Sequence, residues 1–284
     1  MILIADGGST KADWIAIDAT TKEELFRVRT MGLNPEMSSS DVLRDRVLHT
    51  FQLVQHKDKV SKVYFYGAGC GTSEGIKILK SVFESIFTNA DVHVDEDMLA
   101  AVYAASGKNP AIVCIIGTGS NSCYFDGKTI HQNVVSLGYI LMDEASGNYF
   151  GKRLIRDYYY QKMPRHIAQK FESTYNVDAD FIKKNLYREP DPNAYLATFA
   201  KFMLENKEEP YVQALMKKGF EKFFQYRILP YQKGAETPIY FIGSIAHYFR
   251  DILEKVAQSY NLRITDVIQR PIDNLIEFHK TNEV

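Results

Sequence analysis

Along the first part of the chain, short apolar runs alternate with segments in which apolar residues recur at helical spacing. Residues 2–5 are apolar, and residues 12–17 resume with strand composition after a glycine-rich turn, which predicts a strand–loop–strand unit. Three serines at 38–40 suit a helix start, and the apolar residues after them recur at helical spacing: Leu43, Val47, Phe51 and Val54. This pattern predicts one helix over residues 38–54.

The alternation continues to the end of the chain. Further strand-like runs lie at residues 63–66, 92–94, 112–116, 238–243 and 263–268. Helical patterns lie at residues 74–87 with Ser73 as the cap, 98–105, most of 146–228, 246–260 and the segment after Pro271. Because strands alternate with helices, we predict the α/β fold class.

Two segments about half a chain apart resemble each other. ILIADGGST at residues 2–10 aligns without a gap with VCIIGTGSN at residues 113–121. The alignment matches Gly8 with Gly119 and Ser9 with Ser120. One strand–glycine loop–strand unit thus occurs twice, which indicates a duplicated domain.

Charge and cysteine content narrow the classes of partner. The chain has 34 Lys and Arg against 35 Asp and Glu, so nothing in its charge attracts nucleic acid or an anionic membrane. Its three cysteines form no CxxC pair, which argues against a disulfide framework and a metal motif. The N-terminus lacks a basic leader, and no apolar run approaches the ~20 residues of a membrane span. We predict a cytoplasmic protein whose partners are small molecules or other proteins. A homodimer is compatible with the sequence.

The familiar phosphate-binding motifs fail on this sequence. Residues 127–129 have the tail of a Walker loop, but Ser122 stands where its first glycine belongs. A dinucleotide-binding loop beginning at Gly67 fails because Thr72 occupies the position of its last glycine. The glycine-rich loop of protein kinases is absent too.

Two glycine-rich hairpin loops remain as candidates for phosphate binding. Glycine lets backbone N–H groups approach phosphate oxygens, and neighbouring hydroxyls and a lysine add donors and charge. The candidates are Gly7, Gly8, Ser9, Thr10 and Lys11 in the first loop and Gly117, Thr118, Gly119 and Ser120 in the second. Asp6, at the end of a strand, could hold Mg²⁺ directly or through water. Either loop alone reads equally well as a tight turn, whereas the pair favours phosphate binding.

The motifs DGGSTKAD, GTGSNS, MDEASG and FIGSIA occur in an order that resembles the N-acetylglucosamine kinase family, from Asp6 to about Ala246. That family also contains the activator ATPases of benzoyl-CoA reductase and related dehydratases, within the wider group of sugar kinases, actin and Hsp70. The resemblance implies two ribonuclease-H-like (actin-like ATPase) domains with ATP in an interdomain cleft. We place the lobes at residues 1–107 and 108–284, the second with a helical insertion and a final helix that could pack back on the first.

The resemblance also implies roles for individual residues. Asp97 resembles the catalytic aspartate, although Asp95 and Glu96 lie beside it and the residues alone do not choose among the three. Gly243 and Ser244 resemble the adenosine-binding turn, where relatives usually have two glycines. The implied sugar contacts are Asn34, Asp97, Thr118, Asp143 and Glu144. Without the family, Asn34 reads as a turn residue and the acids read as residues that favour a helix start.

The implied activity is transfer of the γ-phosphate of ATP, with Mg²⁺, to a sugar hydroxyl. N-acetylglucosamine, giving its 6-phosphate, is the expected substrate. One alternative is an ATPase activator that couples hydrolysis to a partner enzyme and bridges two subunits with an iron–sulfur cluster; Cys70, Cys114 and Cys123 show no pair suited to that. A second is a sugar- or nucleotide-sensing protein without activity, against which the retained acids argue.

Overall fold

The computed structural model describes residues 1–231 and 236–282. Its contacts form two compact units. The first contains Met1–Gly107 and the segment that begins at Pro271, and the second is Lys108–Arg270. Each unit is built on one five-stranded sheet.

The elements are numbered in chain order. The strands are β1 Ile2–Gly7, β2 Lys11–Ile17, β3 Glu24–Met31, β4 Lys62–Gly67, β5 Asp91–Glu96, β6 Ala111–Ile116, β7 Ser120–Phe125, β8 Ile130–His131, β9 Ile239–Ile242 and β10 Asp266–Ile268. The helices are α1 Ser40–Leu48, α2 Phe51–His56, α3 Ser73–Ile86, α4 Asp97–Ala105, α5 Gly147–Tyr159, α6 Arg165–Thr174, α7 Ala179–Tyr187, α8 Pro192–Thr198, α9 Ala200–Glu205, α10 Pro210–Phe223, α11 Ser244–Tyr248, α12 Arg250–Ser259 and α13 Ile272–Thr281. Short 3₁₀ or π segments are Lys57–Lys59, Phe224–Ile228 and Leu229–Tyr231.

The first sheet has the strand order β3-β2-β1-β4-β5. Its first three strands are antiparallel neighbours, whereas β1, β4 and β5 run parallel. Strand side chains alternate between faces, so Trp14 and Phe65 pack with α1 and α3 while Ile4 and Ile15 pack with α4 and α13. Both faces are therefore buried, which explains the near-continuous apolar runs of the central strands.

The second sheet repeats this arrangement. Read from β8, its order is β8-β7-β6-β9-β10, with antiparallel pairs among the first three strands and parallel pairs from β6 to β10. Its core is rich in phenylalanine, including Phe150, Phe220 and Phe241. The repeated strand order confirms the α/β fold class and agrees with a duplicated domain.

The two hairpin turns differ in length. Four residues (8–11) separate the last β1–β2 pair, Gly7 and Ala12, whereas three residues (117–119) separate the last β6–β7 pair, Ile116 and Ser120. Ser120 already belongs to β7, whereas Ser9 lies within its turn. Counted from the last cross-strand pair of each hairpin, Gly8 is the first residue of its turn and Gly119 is the third, so the ungapped matching of these glycines, and of the serines after them, is wrong.

Two helices expected to be continuous are interrupted. The helix predicted over residues 38–54 is split into α1 and α2, because Thr50 has an extended backbone. The helix predicted over residues 246–260 is split at Phe249, where the backbone leaves helical geometry. The apolar spacing continues across both breaks, so hydrophobic periodicity alone does not reveal them.

Other local differences concern a cap and the sheet edges. Helix α3 is capped by Thr72, whose Oγ1 accepts a hydrogen bond from Gly75 N at 3.1 Å, and Ser73 is its first helical residue. The edge strand β3 has no apolar run because its side chains are largely exposed or half-buried, so the apolar pattern does not mark it. Within residues 1–231 and 236–282, no helix has the length and apolar character to span a bilayer.

Candidate functional site

The first group of candidate residues lies where parallel strands β1, β4 and β5 end. Asp6 lies opposite Asp13 of β2 and Tyr66 of β4, and Tyr66 lies opposite Asp95 of β5. Laterally paired residues share a sheet face, so these side chains form one row on the face covered by α4. Arg29 Nε donates to Asp13 Oδ1 at 2.7 Å at the edge of the row, and burial raises the pKa of Asp95. Carboxyl ends of strands are where α/β proteins gather their sites.

Asp6 alone does not complete a metal site. No group of three or more His, Cys, Asp or Glu side chains in the described ranges is placed to hold a metal ion. Mg²⁺ is usually bound in nucleotide sites through one or two carboxylates, with waters and phosphate oxygens as the other ligands. Half-buried Asp6 fits that mode, in which the nucleotide supplies part of the coordination.

The first glycine loop is a tight turn closed by a hydrogen bond from Gly8 N to Lys11 O of 2.8 Å. A Cβ on Gly7 would overlap the ring of Phe65, so glycine is required there for packing. Thr10 and Lys11 are exposed at the tip, and Ser9 is half-buried. The loop thus presents two hydroxyls and an ammonium group on a turn whose position is fixed by the packing of Gly7 against Phe65.

Asn34 is buried against this loop. Its Nδ2 donates to Ser9 Oγ at 2.9 Å, and its Oδ1 accepts from Glu36 N at 2.9 Å. A Cβ on Gly69 would overlap Asn34 Oδ1, so the β4–α3 loop packs against the same amide. The turn role and the predicted sugar contact are compatible, because Nδ2 carries a second hydrogen.

Asp97 is the first residue of α4 and is half-buried. The pKa of Cys70 is raised to about 12, mainly by burial and further by the negative charges of four nearby carboxylates. These carboxylates are Asp97, Asp95, Glu36 and Glu96. Because Cys70 directly follows Gly69, the candidate base and Asn34 belong to one acidic region of the first unit. Glu36 is fixed there by a hydrogen bond of 3.1 Å from Thr72 Oγ1.

The second glycine loop lies against the start of α5. Gly147 N donates to Gly117 O at 2.8 Å, and Asn148 N and Nδ2 donate to Thr118 O at 3.0 and 2.8 Å. In a planar trans peptide the N–H points opposite to the C=O. The N–H groups of Thr118 and Gly119 therefore point away from α5, and a Cβ on Gly117 would meet no atom within 4 Å.

The Asp143 side chain is hydrogen-bonded to the end of this loop. It is only 6% exposed, and it accepts from Ser120 N at 3.2 Å and from Asn148 Nδ2 at 2.7 Å. A Cβ on Gly119 would lie 2.9 Å from Asp143 Oδ2, so only glycine fits comfortably beside the carboxylate. Burial raises the pKa of Asp143, and the hydrogen bonds from Asn148 and Ser120 oppose that rise.

The backbone around Asp143 is also unusual. Asp143 and Ala145 have φ of 68° and 63°, in the left-handed region that non-glycine residues seldom adopt. Glu144, between them, is half-buried, and its carbonyl accepts from Ser120 Oγ at 2.7 Å. Thus Glu144 contacts the second loop through its backbone, while its sugar-contact role stays a prediction.

Gly243 and Ser244 follow β9 in the second unit. Gly243 has φ of 115°, and a Cβ there would overlap Ile116 O at the end of β6. The glycine is therefore needed for the close approach of the two strand ends, while Ser244 is exposed as the first residue of α11. The adenosine contact of this turn stays a prediction.

Asn148 is the residue that sequence reasoning missed. It connects Asp143 to Thr118 O through one buried amide, yet in the sequence it reads as an ordinary residue of a helix start. The only signal was its place directly after the MDEASG motif. Its role depends on a contact across 30 residues, which no local pattern reveals.

Known proteins with similar structures were found by comparison. A candidate N-acetylglucosamine kinase from Porphyromonas gingivalis is 37% identical, with 100% of each chain covered and a TM-score of 0.90. A candidate N-acetylglucosamine kinase from Chromobacterium violaceum is 18% identical over 98% of each chain, with a TM-score of 0.74. A ROK family glucokinase from Streptomyces griseus, in complex with glucose and AMPPNP, is 12% identical over 99% of this chain and 98% of its own, with a TM-score of 0.58.

The latter two similarities concern the fold alone. No protein-family model and no curated protein sequence matches the chain. The similarity to the Porphyromonas gingivalis protein, in contrast, extends over both complete chains. By that similarity the chain belongs to the N-acetylglucosamine kinase-like family of ATP-dependent sugar kinases.

Proposed function

We propose that this protein transfers the γ-phosphate of ATP to a hydroxyl of a small sugar, with N-acetylglucosamine, giving its 6-phosphate, as the first candidate. The observation that carries the proposal is the peptide orientation in the second glycine loop. The carbonyls of Gly117 and Thr118 are held by α5, which turns the following N–H groups outward as donors for phosphate oxygens.

The remaining loop residues fit a nucleotide. In the first loop, Ser9, Thr10 and Lys11 supply hydroxyls and positive charge for phosphate oxygens. Gly243 and Ser244 are proposed to contact the adenosine. When bound, ATP supplies the phosphoryl group and Mg²⁺ neutralises its charge, with Asp6 as the carboxylate that holds the ion directly or through water.

Asp97 is proposed as the general base. A sugar hydroxyl is a poor nucleophile, and a carboxylate within hydrogen-bond reach of it can accept its proton as the new bond to phosphorus forms. Asn34 is proposed to orient the sugar through the second hydrogen of Nδ2. The first hydrogen of that amide is already donated to Ser9 Oγ. The residue proposed to contact the sugar would therefore be hydrogen-bonded to the loop proposed to contact the phosphates.

The name of the Porphyromonas gingivalis protein supports an amino sugar as substrate, and the Streptomyces griseus enzyme was crystallised with glucose. Thr118, Asp143 and Glu144 stay predicted sugar contacts. Asp143 has the least support of the three, because it is only 6% exposed and each of its oxygens already accepts one hydrogen bond from the protein. The cytoplasmic location and the homodimer also stay predictions of the sequence.

The activator alternative finds no support in the cysteines. Cys70, Cys114 and Cys123 are all buried, and none of the three forms a disulfide. Burial raises the pKa of Cys70 and Cys114 well above that of an ordinary thiol, so neither is poised as a thiolate ligand. A cluster shared between two subunits would require accessible thiolates.

A coupled assay of ADP release tests the proposal. The full-length protein, with ATP and Mg²⁺, is supplied in turn with N-acetylglucosamine, glucosamine, N-acetylmannosamine, glucose and mannose. We expect sugar-dependent ADP release, highest with N-acetylglucosamine, and a phosphosugar product visible by ³¹P NMR. Equal ADP release with and without every sugar would identify an ATPase and contradict the kinase proposal. A preference for another hexose would change only the substrate.

A further inference from the structure

A second candidate binding site lies in the second unit, on the surface between α5 and α10. We call it the α5–α10 groove and define it by Tyr149, Arg153, Lys218, Glu221, Lys222 and Tyr260. Its volume of about 260 Å³ is a little below the range of ~300–1,000 Å³ typical of small-molecule sites. None of the residues predicted to bind ATP or sugar lines it.

The groove concentrates positive charge. Arg153, Lys218 and Lys222 face it with Glu221 as the only acid among the lining residues, although the whole chain carries a net charge of −1. Glu221 Oε1 lies 3.7 Å from Lys217, which does not line the groove. In residues 1–231 and 236–282, none of the three groove cations takes part in an ion pair. Three uncompensated cations at one surface favour an anionic ligand.

Arg153 has a hydrogen-bond donor without an acceptor in the described part of the chain. Its Nε is buried and has no hydrogen-bond partner among the described residues. Leaving a buried donor unsatisfied is destabilising, and more so for a charged group. A guanidinium presents its donors in a planar fork that suits two oxygens of a phosphate or carboxylate, so Arg153, which lines the groove, is the residue best suited to contact a bound anion.

The walls of the groove are aromatic. Tyr149 and Tyr260 are half-buried, and Tyr260 is stacked on Phe224 with ring planes 3° apart, which fixes its orientation. Burial raises the pKa of Tyr149, so its hydroxyl remains protonated and can donate to an anion at neutral pH. Aromatic rings beside a cationic pocket suit a ligand that carries a ring next to its charge.

We propose that the α5–α10 groove binds a small phosphomonoester with a ring, such as a sugar phosphate, independently of the ATP and sugar contacts proposed above. The phosphate dianion would be held by Arg153, Lys218 and Lys222, and the ring would lie against the two tyrosines. A monocarboxylate would compensate fewer of these charges, since phosphate carries nearly two negative charges at pH 7.

Equilibrium dialysis of the full-length protein in phosphate-free buffer tests this. The probes are phenyl phosphate, inorganic phosphate and phenol, the last as a neutral ring. We expect phenyl phosphate to bind in the millimolar range or below, inorganic phosphate to bind more weakly, and phenol not to bind measurably. The double variant Lys218→Ala/Lys222→Ala should weaken phenyl phosphate binding by about tenfold or more.

Controls separate the groove from the nucleotide loops. The variant Lys201→Ala/Lys255→Ala removes the same charge from exposed positions outside the groove and should bind phenyl phosphate within about twofold of wild type. Arg153→Lys retains the charge but loses the fork and should also weaken binding. Wild-type binding that persists with saturating AMPPNP supports a separate site. Loss of binding with AMPPNP, equal binding by both double variants, or no binding of either phosphate probe would overturn the proposal.

Discussion

Asn34 donates a hydrogen bond from Nδ2 to Ser9 Oγ across 2.9 Å, although 25 residues separate the two in the chain. The proposed sugar contact and the proposed phosphate loop are therefore parts of one hydrogen-bonded assembly in the first unit. The close approach depends on Gly32, because a Cβ at that position would overlap the backbone of Ser9. The effect on stability of replacing one of these two residues should therefore depend on whether the other is present.

This coupling can be measured with Asn34→Ala, Ser9→Ala and the double variant. Asn34→Ala should reduce the free energy of unfolding by about 1–3 kcal/mol, because it leaves Glu36 N and Ser9 without their buried partner. Urea denaturation of the four proteins should give a coupling energy of about 0.5 kcal/mol or more. Asn89→Ala, which alters an exposed asparagine, is the matched control and should change stability by no more than about 0.5 kcal/mol. Additive effects of the two changes would show that the bond does not couple the residues.

The choice among the three neighbouring acids is open to a direct test. Asp97→Asn should retain ATP affinity but lose sugar-dependent ADP release by about 10²-fold or more, since the hydroxyl proton then has no acceptor. Asp95→Asn and Glu96→Gln are the controls and should retain activity within about tenfold. Steady-state ADP release and a fluorescent ATP-analogue titration provide the two readouts. Near-normal turnover by Asp97→Asn would remove this residue from the mechanism, and a loss confined to Asp95→Asn would transfer the role.

Asp143 should act mainly through the second glycine loop. Asp143→Asn replaces one carboxylate oxygen with an N–H₂ group, which would face either Asn148 Nδ2 or Ser120 N, so one of these two hydrogen bonds is lost. We expect a loss of about 1–3 kcal/mol in stability and a clearly weaker affinity for ATP. Glu144→Gln, whose loop contact is through its backbone, should change neither quantity. A higher KM for sugar with unchanged stability and ATP affinity would instead support the direct sugar contact implied by the family resemblance.

Acid should destabilise the first unit through His279 on α13. Its Nε2 lies 3.0 Å from Tyr66 Oη, and burial lowers its pKa from 6.5 to about 4. Between these values the unfolded chain binds a proton that the folded chain does not. This contribution to stability is therefore complete above pH 6.5 and falls with pH, by up to about 3 kcal/mol at pH 4.

The thermal midpoint of His279→Gln should consequently change less between pH 7 and pH 5 than that of wild type. His247→Gln, which alters an exposed histidine, should retain the full wild-type dependence. Differential scanning fluorimetry of the three proteins across that range measures both. Parallel curves for wild type and His279→Gln would exclude His279 as the cause of the acid sensitivity.

The sequence by itself determined which residues can serve as strands and loops, and much of the candidate chemistry. The runs at β1, β2, β4 and β6 are apolar because both faces of their sheets are covered, and such runs are visible without a structure. The paired glycine loops were found in the same way, since few residues other than glycine allow such turns beside packed strands. The family resemblance then added the order of motifs along the chain.

Only the tertiary structure decided what those residues contact. The hydrogen bond from Ser120 N to Asp143, the bond from Asn148 Nδ2 to Thr118 O and the Asn34–Ser9 bond each join segments far apart in sequence. Local patterns record backbone preference and burial, which depend on near neighbours along the chain. Hydrogen bonds between distant segments depend instead on how the sheets and helices pack, and no periodicity encodes that.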